Sequence, residues 1–457
     1  MSGLFGSMNI ALRALLAQQG AISTASNNIA NVNTPGYSRQ RAVMTAAPPV
    51  NVGNFLIGNG VELVKVENIR DRILELRMHQ ETQQQSELDA FLGPMKQIEA
   101  LFNDAQGGGL GGVINNFFNS LSQLSTNPSS LPLRQGVLTA GQNMATAFRS
   151  VAGNLVTQQR SLDQTIQQSV DDINRYTTQV AALNKQITAQ VGVGKQPNEL
   201  LDQREVLIRK ISELVDVAII DSQDGSITLT TSGGTALAVG DQSVALQTQP
   251  GVPTGLLQIF SQGSNITGQI KSGRLGGTLT VRDTVIPSIL ADVDTLAAGI
   301  ASSVNTAHQA GFDLNGAAGG NFFVPPPATG AAAGMNLAFS NPALVAASSD
   351  GTPGSNGNAV ALSGLRDQAV VASQKPSDFY STVVFRIGND VSSSTAEYDA
   401  ENLVLRQLEN QRAAISGVSL DEEAANLIRF QRAFEAQARV IAAVDELTRI
   451  AINLGRG

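Results

Sequence analysis

The chain offers few side chains able to do chemistry. His79 and His308 are its two histidines, and they are far apart in the chain. Histidine is the usual general base near neutral pH. Three acids run together at Asp421-Glu422-Glu423, a grouping that could hold a cation or exchange a proton. The run Gln106 to Gly112 reads as a glycine-rich linker; a phosphate loop is the rival reading, but no Gly-Lys-Ser/Thr follows it. There is no cysteine, which excludes disulfides, thiolate zinc sites, iron–sulfur clusters and cysteine nucleophiles. Gly-x-Ser-x-Gly, a metal-spaced histidine pair and a Rossmann glycine pattern are all absent. The remaining candidates have plainer readings. His79 adjoins a polar helical stretch and His308 falls near a helix end, so both read as solvated or capping residues. Three acids in the first turn of a helix oppose its dipole favourably. The expectation is therefore no enzyme, no cofactor and no metal.

Two stripes dominate the elements that carry these residues. Met8, Leu15, Ile22 and Ile29 are seven apart near the start, and Leu420, Leu427, Phe434 and Ile441 are seven apart near the end. Such spacing draws an apolar line that another helix lying nearly parallel can cover. Either the two ends pack as ordinary amphipathic helices on one core, or they are built for assembly. Phe430 and Phe434 are candidate interface anchors. Asn27, Asn28, Asn31 and Asn33 either bond between subunits or simply terminate a helix, as asparagine does well.

Composition narrows the class. With 457 residues the chain can bury a large core in two or three domains. Aromatics are 4% and tryptophan is absent, so the core must be aliphatic and alanine-rich. A net charge of −8 with no clustered basic face argues against nucleic acid as a partner. No apolar run is read as reaching the ~18 residues that span a bilayer, so membrane insertion is not expected. The first residues lack a basic n-region, and Arg13 interrupts their apolar stretch, so no Sec-type signal peptide is expected. The first 61 residues hold only Arg13, Arg39 and Arg41 as charges, whereas the last helix opens on acids. The two ends are weakly complementary.

Along the chain, a helix over 4–33 stops at Thr34-Pro35-Gly36-Tyr37. Val61, Leu63, Lys65 and Val66 read as extended. Helices follow at 71–103, with a polar and presumed solvated middle from Gln80 to Glu87, then at 113–126, 133–191 and 198–215. Within 133–191, Ile166, Ile173, Val180 and Ile187 keep a seven-residue spacing. From 217 to 272, short strand-like runs are punctuated by Asp224-Gly225 and Gly233-Gly234. A helix returns over 275–309, a Gly/Ala/Ser/Pro-rich irregular stretch fills 311–365, and helices close the chain at 376–415 and 420–453. Ser419 with Glu422 forms a capping box for the last. The expected fold is α+β: mainly long coiled-coil-like helices, with the terminal helices paired, a helical bundle body and an inserted β domain. Residues 1–40 with 416–457 form the terminal assembly domain, disordered in the monomer. Residues 41–216 with 273–415 form the body. Residues 217–272 form the β domain, expected furthest from the ends.

The stretch Ser26-Asn27-Asn28-Ile29-Ala30-Asn31-Val32-Asn33-Thr34-Pro35-Gly36-Tyr37-Ser38-Arg39-Gln40 resembles the signature of bacterial flagellar axial proteins, the rod, hook and hook-associated families. The Gly-Tyr-Ser-Arg-Gln ending narrows it toward the hook-associated protein 1 family. Residues 416–434, from Ser416-Gly417-Val418-Ser419-Leu420 to Phe430-Gln431-Arg432-Ala433-Phe434, resemble the same family, as does Leu275-Gly276-Gly277 with the helix to Asn315-Gly316. The chain is short for that family, which implies an outer domain reduced or missing, and the segment 217–272 carries no matching residues.

That resemblance implies a structural subunit of the flagellum: an adaptor ring at the hook–filament junction, assembled through its terminal helices. It implies hook protein and hook-associated protein 3 as neighbours, a chaperone on the last helix, and unfolded export through the flagellar type III apparatus to the extracellular flagellum. The interface residues would be Met8, Leu15, Ile22, Asn28, Ile29, Asn31, Leu420, Leu427, Phe430, Phe434 and Ile441. The rivals are another axial protein of the hook or rod, whose body should be mostly β, and a type III secreted coiled-coil protein.

Overall fold

The structure, a computed structural model, describes residues 2–52, 54–103 and 108–454. Its first helix, α1 (Ser2–Ala30), is followed by a turn in which Gly36 takes a φ of 82°. An L-residue is strained there, and a Cβ would stand 2.2 Å from Val206 Cγ2. β1 (Gln40–Ala46) follows, then the short hairpin β2 (Val50–Val52) and β3 (Phe55–Ile57), then β4 (Val61–Asn68). β1 and β4 pair antiparallel from Gln40↔Asn68 to Ala46↔Val61, so β2 and β3 form the tip of one long ribbon.

The helical body begins with α2 (Arg72–Leu101), whose N-cap Asp71 accepts from the backbone N–H groups of Ile73 and Leu74. α3 (Leu110–Thr126) starts within the glycine run, so Gly111 and Gly112 are helical rather than linker. Residues 104–107, which include the first two of that run, lie outside the described residues. α4 (Leu131–Val191) is 61 residues of unbroken helix, capped by Ser130, which accepts from Leu133 N–H. α5 (Asn198–Leu214) turns back along it.

Two small antiparallel sheets follow. β5 (Ala218–Asp221), β6 (Ile227–Thr230), β7 (Ala236–Val239) and β8 (Gln242–Ser243) pair in sequence order. β9 (Leu246–Pro250), β10 (Leu257–Ser261) and β11 (Ser264–Asn265) form a three-stranded meander. α6 (Gly273–Thr280) then runs through a π turn, Val281–Val285, into α7 (Ile286–Gln309). An irregular stretch with a short helix, α8 (Gly357–Gly364), leads to α9 (Pro376–Ser416) and α10 (Leu420–Leu454). The α+β class and the pairing of α1 with α10 are as expected.

Two apolar cores are strung on α4. Its first half, with Met144, Phe148 and Leu155, packs with α3, α7, the start of α9 and the irregular stretch, where Phe117, Phe118, Phe322 and Phe323 meet. Its second half, with Ile166, Ile173 and Val180, packs with Ile208 and Ile211 of α5, with Ile227, Leu229 and Ile259 of the strands, and with Leu275 of α6.

Several expectations give way. The β segment does not lie furthest from the ends: Asp221 of β5 pairs with Arg72 at the foot of α2, and α5 touches the turn after α1. The polar middle of α2 is not solvated. Gln83 is buried and donates to Val217 O, and Gln85 donates to Asn402 Oδ1 at 2.7 Å. There α6 approaches so closely that a Cβ on Gly277 would lie 2.2 Å from Glu87 O. The stretch Gly273–Gln309 is long and apolar enough to cross a bilayer by length and composition, contrary to the sequence reading. Its stripe, Ile289, Val293, Leu296, Ile300 and Val304, is spent on the first core.

Candidate functional site

The terminal unit is assembled around a small-residue seam. Ala11, Ala14, Ala17, Ala21 and Ala25 are the buried face of α1, none more than 6% exposed. Their spacing of three and four residues keeps them on one side, and the missing bulk lets neighbouring elements come close. The expected stripe does not form this seam. Met8 is 42% exposed, and Leu15, Ile22 and Ile29 are half-buried at its flank. On α10, Leu427, Phe430, Phe434 and Ile441 are half-buried, whereas Leu420 is exposed. Away from the seam both helices present large apolar side chains to solvent: Phe5, Leu12 and Leu16 on α1, and Ile428, Val440, Leu447 and Ile450 on α10.

At the foot of the pair sits a polar clasp. Asn28 is buried and uses its whole amide. Nδ2 donates to Gln40 O at 2.9 Å and to Glu423 Oε2 at 3.1 Å. Oδ1 accepts from Tyr37 Oη at 2.8 Å and from Gln40 N–H at 2.9 Å. Arg39 reaches Glu423 Oε1 through Nε and Glu422 Oε2 through Nη1, each at 2.7 Å. The backbone N–H of Arg39 donates to Ser416 O at 2.9 Å. Ser419 accepts from Glu422 N–H at 3.4 Å as N-cap, but the Glu422 carboxylate turns to Arg39, so only half of the capping box forms.

The clasp is anchored to the body through Asp202 of α5. That carboxylate accepts from Ser38 N–H at 3.1 Å, from Asn68 Nδ2 at 2.9 Å and from the Arg70 guanidinium. Burial pushes the Asp202 carboxyl up, against the pull of Arg70. Burial, with Asp202, Glu199 and Glu423 around it, raises the Tyr37 hydroxyl well above its ordinary value, so it stays a donor. Asn31 bonds within its own helix end, donating to Asn27 O at 3.0 Å and accepting from Thr34 Oγ1 at 3.1 Å.

Neither histidine is solvated, which corrects that expectation. His79 is buried between α2 and α5, with Nε2 2.7 Å from Glu205 Oε1. Burial raises the Glu205 carboxyl, yet His79 and the Arg70 and Arg209 charges carry it below the usual carboxylate range. Burial together with the Glu205 charge raises Glu75 beside them. His308 lies wholly inside the first core. Its Nδ1 is 2.7 Å from Gly320 O, and its Nε2 accepts from Ala346 N–H at 2.9 Å. Among the described residues no group of three His, Cys, Asp or Glu could hold a metal ion.

The residues the sequence reading missed are Arg39, Gln40, Tyr37 and Glu423, together with the alanine seam. The signal for the first group was present as charge: three arginines alone in the first 61 residues, facing an acidic triplet.

The description "Flagellar hook-associated protein FlgK helical domain" matches residues 95–323. "Flagella basal body rod protein" matches 8–37, and "Flagellar basal body rod FlgEFG protein C-terminal" matches 409–454. The flagellar hook-associated protein 1 of Bacillus subtilis is 30% identical over 501 aligned positions, covering 99% of each chain. That of Escherichia coli is 27% identical, covering 98% of this chain and 99% of its own. These alignments are longer than the chain itself, so the relatives carry internal segments that it lacks. The flagellar hook junction protein FlgK from Burkholderia pseudomallei shares the fold, with a TM-score of 0.68 over 74% of this chain and 100% of that one, at 18% identity.

Proposed function

This chain belongs to the flagellar hook-associated protein FlgK family, and we propose that it is an adaptor ring subunit of the bacterial flagellum, joining hook to filament. The family is one of structural flagellar proteins, and the hook or rod alternative is not favoured. Hook protein on one side and hook-associated protein 3 on the other are the neighbours of this reading. Export runs through the flagellar type III apparatus, with a chaperone over α10 beforehand, and the subunit has no catalytic role.

One observation carries the assembly reading: the outer faces of α1 and α10 stay apolar after the two helices have packed on each other. A contiguous apolar face of that kind marks an interface. The pair buries mainly alanines against half-buried side chains, so little apolar area holds it to the body. The free subunit therefore carries residues 2–40 and 416–454 disordered, and orders them on docking. Met8, Leu15, Ile22, Ile29, Leu420, Leu427, Phe430, Phe434 and Ile441 supply the interface, with Asn28 and Asn31 setting its lower edge.

Limited proteolysis of the free subunit and of assembled material tests this. Rapid removal of the ends before residue 65 and after residue 415 in the free subunit only, with protection in the assembly, is the expected result. Equal resistance in both states would show that the pair is satisfied within one chain and would remove the physical basis for assembly through it.

A further inference from the structure

The exposed apolar surface of α1 is one stripe on the first half of the helix. Phe5, Met8, Leu12 and Leu16 follow one another at three- and four-residue spacing, and all are exposed, Phe5 at 56% and Leu16 at 59%. Below Leu16 the same line continues in exposed polar residues, Gln19, Ser23 and Ser26. At 3.6 residues per turn the stripe falls on the side of α1 away from the alanine seam. The one charged residue of α1, Arg13, is taken up by Glu62.

A second uncharged apolar face stands at the same height. Phe55 is 74% exposed, with Val50 and Ile57 also exposed. Val50 pairs with Ile57, and side chains two apart share a face, so Val50, Phe55 and Ile57 line one side of the β2–β3 hairpin. From Ala42 to Val61 there is no charged residue. A hairpin of three residue pairs does not stand stably alone in water. The ribbon carries it back along α1. Leu63 lies against Gly20, Glu62 reaches Arg13, and Gly60 lies against Ile10, where a Cβ would stand 3.2 Å from Ile10 O. Three more residues bring Ile57 about 10 Å beyond the level of Ile10. Phe5 is about 8 Å beyond Ile10 on the helix. Both faces are exposed in the same subunit, so they do not cover each other.

In a ring whose terminal helices stand along its axis, rotation from one copy to the next keeps every residue at its own height. A contact between neighbours therefore joins features at one level, on different sides of the subunit. The hairpin and the stripe meet both conditions. The outer face of α10 fits an uncharged hairpin less well, because exposed Arg432, Glu435, Arg439 and Asp445 stand among its apolar side chains. We infer that the β2–β3 hairpin of one copy packs sideways on the Phe5–Leu16 stripe of the next copy round the ring. The contact rests on the adaptor-ring reading and supplies what covers the apolar face of α1 there. Each copy gives one hairpin and receives one, so a closed ring leaves neither face bare.

The cysteine-free chain makes the test direct. Asn54 and Asn9 are exposed beside the two faces, and replacing them leaves the apolar side chains in place. One full-length population carries Asn54→Cys and the other Asn9→Cys; they are mixed, concentrated and oxidised, and oligomers are isolated by sedimentation. A disulfide joining the two populations is expected. It should be absent when Ser26→Cys, on the same side of α1 but below the stripe, replaces Asn9→Cys, and lost when Phe55→Ser accompanies Asn54→Cys. Oligomers that form without the 54–9 bond overturn the hairpin–stripe contact and leave the ring reading standing. Bonding to position 26 as readily as to position 9 overturns it as well, since the hairpin then has no fixed level on its neighbour. A chain that stays monomeric at every concentration overturns both the contact and the ring.

Discussion

Arg39 and Glu423 are separated by 384 residues, yet the guanidinium Nε lies 2.7 Å from the carboxylate, whose side chain is only 4% exposed. The start of the last helix is thus pinned to the end of the first by one charge pair, supported by the Asn28 amide.

Removing one partner of that pair leaves a buried charge unanswered. Arg39→Ala should cost the assembled chain about 2–3 kcal/mol, the low end for a broken buried pair because Arg39 keeps some contact with solvent. The Glu422 contact is exposed and adds at most ~1 kcal/mol. Urea dissociation of assembled Arg39→Ala, Glu423→Gln and the double variant measures this, and the double variant should fall well short of additive.

Asn28→Ala removes both acceptor and donor from inside the clasp. Tyr37 Oη, Gln40 N–H and Gln40 O each lose a partner in a buried setting, at about 1–3 kcal/mol for the worst-placed group and ~2–4 kcal/mol in all. Asn28→Asp restores the acceptor but sets a second carboxylate beside Glu423, so it should be no better. Proteolytic cleavage rates in the 37–41 turn of assembled material report the loss.

His308 makes stability depend on pH. Burial holds its folded value below the ordinary histidine range. As pH falls, the unfolded chain takes up this proton first, so the His308 contribution is complete above the ordinary value of about 6.5 and drains away as pH drops toward the folded value. Thermal melts from about pH 7.5 to 5 should show a slope in the parent that is smaller in His308→Gln. An identical slope in both would count against the buried neutral imidazole.

The α2–α6 crossing has no room for one more carbon. Gly277→Ala should destabilise the body by about 3 kcal/mol, because the obstacle is the Glu87 carbonyl rather than a movable side chain. Denaturant midpoints of this variant and of Gly153→Ala, where a Cβ meets open space, separate crowding from helix propensity.

The elements that reveal themselves in sequence are those with a strong period and bulky residues. α4 keeps Ile166, Ile173, Val180 and Ile187 in one line, and all four are buried. The strands between 217 and 272 are legible from Asp224-Gly225 and Gly233-Gly234, in each of which the second residue takes a positive φ. The terminal seam was not, because its buried line is alanine. A search for large apolar residues finds Met8, Leu15, Ile22 and Ile29 instead, which flank the contact. The buried histidines and the packed middle of α2 were missed for a related reason: polar residues look solvated until their partners, distant in sequence, are known. Glu205 answers His79 and Asn402 answers Gln85, and neither pairing is visible from local pattern. Asn28 stands out in the signature and the charges of the two ends are visibly complementary, but the specific pairing of Asn28 with Glu423 is not visible from local pattern.

The single helix α4 belongs to both apolar cores, and at 1.5 Å per residue it is about 90 Å long. Twist or bending applied at the clasp passes through Asp202 to α5 and from there into this one stiff strut, with no flexible joint along its length to absorb it. Under the adaptor reading proposed above, load entering at either end of the body would be shared by both cores through this one continuous helix.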